Sequence, residues 1–251
     1  MAGSHSSPPE PHFPARKRRL PAALVYHVLV RPALRRSFVR VAISAPEGPQ
    51  PPDLPVLLYS NHVSWWDGYL AFLLTRERWN TETYLMMEER QLRRYRFFQW
   101  CGCFSVDRED PREALRSVAY AANVLHGHPG RSVWIFPQGE ITPNDRRPLT
   151  TYSGTAHIAL RAAPVRCVPV ALRLEFFGEQ RPEALVRIGP SHVVEGGTAR
   201  SLQADMDRRL LQTVDELRAD ALSGATQHYR TVLPGRASIN VIWDRVRSLF
   251  R

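Results

Sequence analysis

Lysine is nearly missing from this chain. Lys17 stands alone among 34 Lys and Arg residues, so arginine occupies almost every cationic position. A GC-rich coding bias accounts for that choice, but less well for the net charge of +10. The charge points to an anionic partner: nucleic acid, an anionic membrane surface or a phosphorylated substrate. Cysteine is scarce too. Cys101, Cys103 and Cys167 are too few for a disulfide framework and suit a reducing cytosol. Cys101 and Cys103 fall two apart on an expected strand, with no further ligands at metal-binding spacing, and read as small core residues rather than a metal site. Long apolar runs are absent as well. The best, residues 20–30, is about half of what a bilayer span needs and contains His27. The cluster Arg16-Lys17-Arg18-Arg19 before it has the character of a signal-peptide start, yet no small-residue cleavage site follows and Arg31, Arg35, Arg36 and Arg40 come soon after. A cytoplasmic protein is expected. There is no Gly-x-Ser-x-Gly nucleophile motif, no recognised nucleic-acid-binding motif and no internal repeat.

What is present is a chain of 251 residues with an ordinary apolar fraction of 43%, enough for one large α/β domain or two small ones. Residues 1–19 are rich in Ser, Pro and His and read as a disordered basic tail. Residues 20–53 read as an amphipathic membrane-interface segment and a Pro-rich linker, and residues 54–251 as the catalytic domain. In residues 21–43, His27, Arg31, Arg35, Arg36 and Arg40 recur about every four positions, opposite Leu24, Val25, Val28, Leu29, Leu34, Phe38 and Val41, with a kink expected at Pro32. That pattern fits a helix lying in a membrane interface; a helix packed on its own domain is the alternative. Strands are expected at 54–59, 83–87, 103–106, 132–136, 165–174 and 184–188. Helices are expected at 68–74, 88–100, 111–125 (capped by Asp110) and 154–162. The alternation predicts an α/β fold with a mixed, largely parallel central sheet flanked by helices. Ser201 is read as the cap of a helix carrying Leu202, Met206, Leu210, Val214 and Leu217 on one face. From Ser238 the amphipathic theme returns: Ile239, Ile242, Trp243, Val246 and Phe250 oppose Arg245, Arg247 and Arg251.

The most informative block is Asn61-His62-Val63-Ser64-Trp65-Trp66-Asp67, which follows the apolar run Val56-Leu57-Leu58-Tyr59. A histidine in a loop past a strand end, with an aspartate at the next helix start, can pair as general base and orienting carboxylate. With no nucleophile motif beside it, the base would act on a substrate hydroxyl. A second block, Gly102-Cys103-Phe104-Ser105-Val106-Asp107-Arg108, puts Arg108 past a strand end, either to clamp a phosphate or to pair with Asp107, Glu109 or Asp110. A third, Phe136-Pro137-Gln138-Gly139-Glu140, ends a strand in a Pro-x-Gly turn whose amides can line an anion site. The fourth, Val168-Pro169-Val170, puts a proline in a strand, as at an edge or bulge.

In this order the four blocks resemble the glycerolphosphate and lysophosphatidate acyltransferases, over roughly residues 54–190. That family carries His-x4-Asp, a Gly-x5-Arg block ending in Asp-Arg, Phe-Pro-Glu-Gly-Thr-Arg-Ser and an apolar-Pro-apolar strand. The resemblance implies that His62 is the general base for attack on an acyl-CoA or acyl carrier protein thioester, and that Asp67 orients it. It also implies that Asn61, Gly102, Arg108, Phe136, Pro137, Gln138, Gly139 and Glu140 contact substrate. No metal and no cofactor is implied beyond the thioester co-substrate. Backbone amides of the first or third block are expected to hold the oxyanion, and Trp65, Trp66, Tyr69 and Phe72 either line an acyl channel or pack the core. The third block departs from the pattern, with Gln138 for Glu, Glu140 for Thr and Ile141 for Arg. The departure weakens a phosphate-bearing acceptor and favours a lyso-aminolipid, a glycolipid hydroxyl or a glycosylated carotenoid. Expected partners are membrane lipids, with peripheral contact at the inner face of the membrane, and acyl carrier protein; nucleic acid is not expected. The competing readings are a non-catalytic lipid-binding module and a thioester hydrolase.

Overall fold

The computed structural model describes residues 10–45, 53–79 and 81–236; the expectations for residues 1–9, 46–52 and the amphipathic segment from Ser238 lie outside them. Apolar, β-branched runs form the strands of one mixed sheet. In chain order these are β1 (Arg40–Ser44), β2 (Val56–Ser60), β3 (Glu82–Glu88), β4 (Cys103–Val106), β5 (Arg131–Ile135), β6 (Val165–Glu175), β7 (Glu183–Ile188), β8 (His192–Val194) and β9 (Arg230–Pro234). Their order across the sheet is β4-β3-β5-β2-β6-β7-β1-β9, with β8 also pairing β6. The run β4-β3-β5-β2-β6 is parallel throughout. β7 and β8 pair β6 antiparallel, β1 pairs β7 parallel, and β9 pairs β1 antiparallel. The expected α/β fold with a largely parallel sheet is therefore present.

Every residue of β2 is buried, as a parallel strand covered on both faces requires. Val56 and Leu58 point into one apolar cluster, Leu57 and Tyr59 into the other, which is the period-2 alternation of a strand. The first cluster is closed by an N-terminal helix and by α3 (Asp67–Leu74). The second is closed by α5 (Pro111–Leu125), α6 (Gly154–Ala162) and α7 (Ala199–Ser223). Asp110 caps α5 through Arg112 N and Pro111 opens it, as expected. α7 is capped by Thr198 and not by Ser201: the Thr198 hydroxyl accepts from Ser201 N.

The N-terminal region differs most from expectation. α1 (Arg19–Leu24), a π-helical stretch Val25–Val30 and α2 (Arg31–Ser37) follow one another directly. The widened turns lie just before Pro32, which has no N–H to give and crowds the turn that precedes it. Tyr26, Val30, Leu34 and Phe38 are buried on the sheet, each such side chain contributing about 1.5–3 kcal/mol. Leu20, Leu24 and Val28 face outward at 84%, 64% and 66% exposure. The helix thus has two apolar stripes, one on the core and one toward solvent. Residues 40–43, expected to continue the helix, and Ser44, expected to open the linker, are β1, so residue 54 is not a boundary between two units: the sheet crosses it. Nor are residues 10–18 a loose tail. They run along the outer edge strand β4, with Phe13 and Ser105 bonded in both directions, Arg16 N on Gln99 O and Arg18 N on Trp100 O. His12 sits between the buried Glu89 and Glu113. A Pro-rich sequence cannot form a helix or central strand, but it can shield an open sheet edge. Cys101 ends a 3-10 turn (Arg96–Cys101) built after α4 (Glu89–Arg94), and Gly102 at φ +101° turns the chain into β4. Cys101 and Cys103 therefore do not share a strand.

Pro169 is not at an edge. β6 has β2 on one side, and on the other β8 pairs as far as Cys167 and β7 begins at Val170. Pro169 falls where one neighbour hands over to the next, and its carbonyl accepts from Gly189 N at 2.9 Å. A residue with no N–H fits that gap.

Candidate active site

Because β2, β3, β4 and β5 are parallel, the loops that leave them open on one edge of the sheet, where ligand crevices form in α/β folds. His62 follows β2, Glu88 closes β3, Arg108 follows β4 and Phe136 follows β5. Four segments distant in sequence so meet around one cavity of about 340 Å³.

His62 Nδ1 lies 2.7 Å from Asp67 Oδ2. The same oxygen accepts from Val63 N at 2.6 Å and Ser64 N at 2.9 Å, and the Ser64 hydroxyl donates to Oδ1. Asp67 is fully buried in the first turn of α3, where the helix dipole favours an anion. An acceptor-only carboxylate requires the proton on Nδ1, so Nε2 carries the free lone pair. Phe136 stacks on the imidazole with centroids 4.3 Å apart, and His62 itself lines the cavity.

The loop holding His62 is pinned from the side. Gln138 Oε1 accepts from His62 N at 2.7 Å, Gln138 Nε2 donates to Thr142 Oγ1, and Thr142 N donates to His62 O at 2.9 Å. Gln138 is buried and belongs to this brace, not to the cavity wall. Asn61 is likewise buried and satisfied: its amide bonds Leu172 in both directions, at 2.9 and 2.7 Å, and ties the strand end to β6. Gly102 lies behind β3, where a Cβ would stand 2.5 Å from Thr83 O. Pro137 is buried and its carbonyl takes Tyr152 N at 2.8 Å. So Asn61, Gly102, Pro137 and Gln138 shape the loops, whereas His62, Arg108, Phe136, Gly139 and Glu140 line the cavity.

Trp65, Tyr69 and Phe72 line it too, together with Leu85, Tyr95 and Phe98; Trp66 instead packs edge-on against Phe38. The oxyanion donors expected from the first block are already used. Val63 N and Ser64 N serve Asp67, His62 N serves Gln138 and Trp66 N serves the Ser64 hydroxyl. Gly139 N is turned onto Phe136 O at 3.0 Å. Arg108 is exposed and packs over Gly139, whose hypothetical Cβ would lie 2.8 Å from Arg108 Cδ. The carboxylates nearest in sequence are occupied otherwise: Asp107 accepts Glu109 N, and Asp110 caps α5. Glu88 and Glu140 face the same cavity as Arg108. Sequence spacing did not single out Glu88, Ser64 or Thr142; the Ser-x-x-Asp step from Ser64 to Asp67 was the available signal for the second of these.

A family model described as Acyltransferase matches residues 16–173, a span that contains all four sequence blocks. Among solved structures, the crystal structure of the 1-acyl-sn-glycerophosphate (LPA) acyltransferase PlsC from Thermotoga maritima is similar to this chain with a TM-score of 0.54 at 17% sequence identity, over 71% of this chain and 73% of that chain. No curated protein matches the sequence.

Proposed function

Since the chain belongs to the acyltransferase family, we propose that it moves a fatty acyl group from an acyl-CoA or acyl carrier protein thioester to a hydroxyl of a lysophospholipid or related lipid. The observation that carries this reading is the His62–Asp67 pair, 2.7 Å apart, at the wall of an apolar cavity. His62 Nε2 takes the acceptor's proton as its oxygen attacks the thioester carbonyl. The tetrahedral intermediate expels the thiolate, and the imidazolium returns the proton to sulfur. Asp67 holds the tautomer and offsets the transient charge; general base catalysis of this kind gives about 10²–10⁴-fold. The acyl chain lies against Tyr69, Phe72, Leu85 and Phe98, each buried methylene contributing about 0.8 kcal/mol. His62→Ala tests the assignment: release of free thiol from the thioester should fall at least a hundredfold while thioester binding persists. Undiminished turnover would end it.

The acceptor we favour has a neutral or amine-bearing headgroup. Two carboxylates, Glu88 and Glu140, share the cavity with the single guanidinium of Arg108, a poor setting for a phosphate monoester dianion. Lysophosphatidate, the substrate in the Thermotoga protein's name, should turn over more slowly than a lyso-aminolipid. Robust turnover of lysophosphatidate would overturn that preference.

Among the described residues no helix is long and apolar enough to cross a membrane. We place the enzyme at a membrane surface, on the inner face, through the outward stripe Leu20, Leu24 and Val28 and the exposed Arg16, Arg18 and Arg19 around it.

A further inference from the structure

Arg90, Arg93, Arg94 and Arg96 crowd α4 and the turn that follows it, and all four are exposed. Spacings of three and four put Arg90, Arg93 and Arg94 on one helix face, while the wholly buried Leu92 points to the core. Like charges at these spacings weaken a helix, and little here offsets them. Arg93 pairs with Glu89 at 2.6 Å. Arg90, Arg94 and Arg96 have no carboxylate within ion-pair distance among the described residues. α7 shows the usual remedy: Arg208 and Arg209 share Asp205, and Arg218 reaches Asp145. The guanidiniums of α4 are held in place instead by aromatic rings. Arg93 and Arg96 lie over Phe13 at 5.8 and 5.2 Å, and Arg94 lies over Tyr95 at 5.2 Å. Such contacts fix the cations before a partner arrives, which lowers the ordering cost of binding.

The ridge borders the reaction site. Gln91 and Tyr95 line the catalytic cavity. A cleft of about 230 Å³, lined by Arg90, Arg93 and Arg108, shares Glu88, Val106 and Arg108 with that cavity. Two of the cleft's carboxylates are already engaged, Glu89 with Arg93 and Asp107 with Glu109 N. The unpaired acids Glu88 and Glu109 remain beside the unpaired Arg90 and Arg108, and Arg94 and Arg96 add to the positive side. No large apolar side chain of α4 is exposed, unlike the stripe of Leu20, Leu24 and Val28. Lodging in a bilayer interface draws on such side chains; an acidic protein surface needs only the charges.

We infer that this ridge docks an acidic carrier protein that presents the acyl thioester on a flexible arm. The inference rests on the acyltransferase reading and names its donor as protein-borne. Carboxylates of the carrier meet Arg90, Arg93, Arg94 and Arg96, and the arm follows the cleft past Arg108 to His62. After transfer the carrier leaves with its thiol protonated.

The test compares two donors of one chain length on the full-length protein: the thioester of acyl carrier protein and that of coenzyme A. In the double variant Arg90→Glu/Arg94→Glu, kcat/KM for the carrier thioester should fall about tenfold or more, chiefly through KM, and its salt dependence should flatten. The coenzyme A thioester reports folding, and its kcat/KM should stay within about twofold. Arg90→Lys/Arg94→Lys should keep most of the carrier activity, because the charge is kept. Unmoved carrier kinetics in the Glu variant overturns the docking surface. So does an equal loss with both donors, which would make the ridge a small-molecule phosphate site, and so does lost flotation with anionic vesicles while carrier kinetics hold, which would make it a lipid contact. A wild type that consumes only the coenzyme A thioester overturns the docking surface alone, and one that consumes neither donor overturns the acyltransferase reading with it.

Discussion

Asp67→Asn is the most discriminating single exchange, because the site dictates how the amide must sit. Three N–H donors, from His62, Val63 and Ser64, converge on Oδ2, whereas Oδ1 faces only the Ser64 hydroxyl. An asparagine NH₂ in the Oδ2 position would meet three donors, so the amide oxygen must take it. The NH₂ then faces Ser64 Oγ, which already accepts Trp66 N and has a second lone pair to offer. The loop and the Nδ1–H tautomer survive; the negative charge does not. Where such an exchange flips the tautomer, the loss is about 10⁴-fold. Here only the stabilisation of a transient imidazolium is lost, about 3–4 kcal/mol, or roughly 10²–10³-fold in kcat. KM for the thioester should stay within about threefold, because Asp67 touches no substrate. Initial rates of thiol release measure both constants. Activity within fivefold of the wild type would refute the role given to Asp67, and a loss beyond about 10⁴ would show that the hydrogen-bond count does not fix the amide.

Gly139→Ala should lower the melting temperature by a few degrees, since a φ of +72° and contacts of 2.8–2.9 Å to Arg108 and Tyr152 cost about 1–2 kcal/mol; the acceptor's KM should rise severalfold as Arg108 is displaced, and unchanged kinetics would show Arg108 idle. Replacing Leu20, Leu24 and Val28 together by Gln should abolish flotation with anionic vesicles at little change in stability, the side chains being exposed; persistent flotation would remove the stripe from membrane contact. Truncation before residue 44 is the wrong test, because it deletes β1 from the sheet. Both ring nitrogens of His192 are buried with no hydrogen-bond partner among the described residues, and burial, with a smaller push from Arg209, lowers its pKa to about 4. The folded state then binds fewer protons than the unfolded one, so stability is full above about pH 6.5 and fades as pH falls toward 4. His192→Leu should flatten that part of the denaturation–pH curve, and an identical slope in the variant would contradict it.

The central strands and the His62 loop were legible because they are written in short range: an apolar run, then a polar loop, then a helix start. β1 was not. Phe38, Arg40 and Val41 fit a helical stripe as well as a strand, and only pairing with β7 and β9, far along the chain, decides between them. β9 escaped for another reason, since most of it is exposed and carries little apolar pattern. Gln138 and Asn61 occupy motif positions beside a reactive histidine, and adjacency in sequence suggests contact with substrate. Their side chains instead bond the backbone of strand β6, the backbone of His62 and the Thr142 hydroxyl, which no spacing rule encodes. Arg108 could be placed past a strand end from sequence, but not its packing over Gly139.

The place of β1 in the sheet has a consequence for biogenesis. Both of its neighbours are made late: on the ribosome the first helix and β1 emerge roughly 140 residues before β7 and roughly 190 before β9, a wait of about 10–40 s at ordinary translation speeds. Throughout that interval β1 stands with neither strand partner made, beside the outer stripe of Leu20, Leu24 and Val28. An unpaired strand left waiting so long is a natural client for a chaperone, and the fold can close on its outer edge only when the last strand has been made.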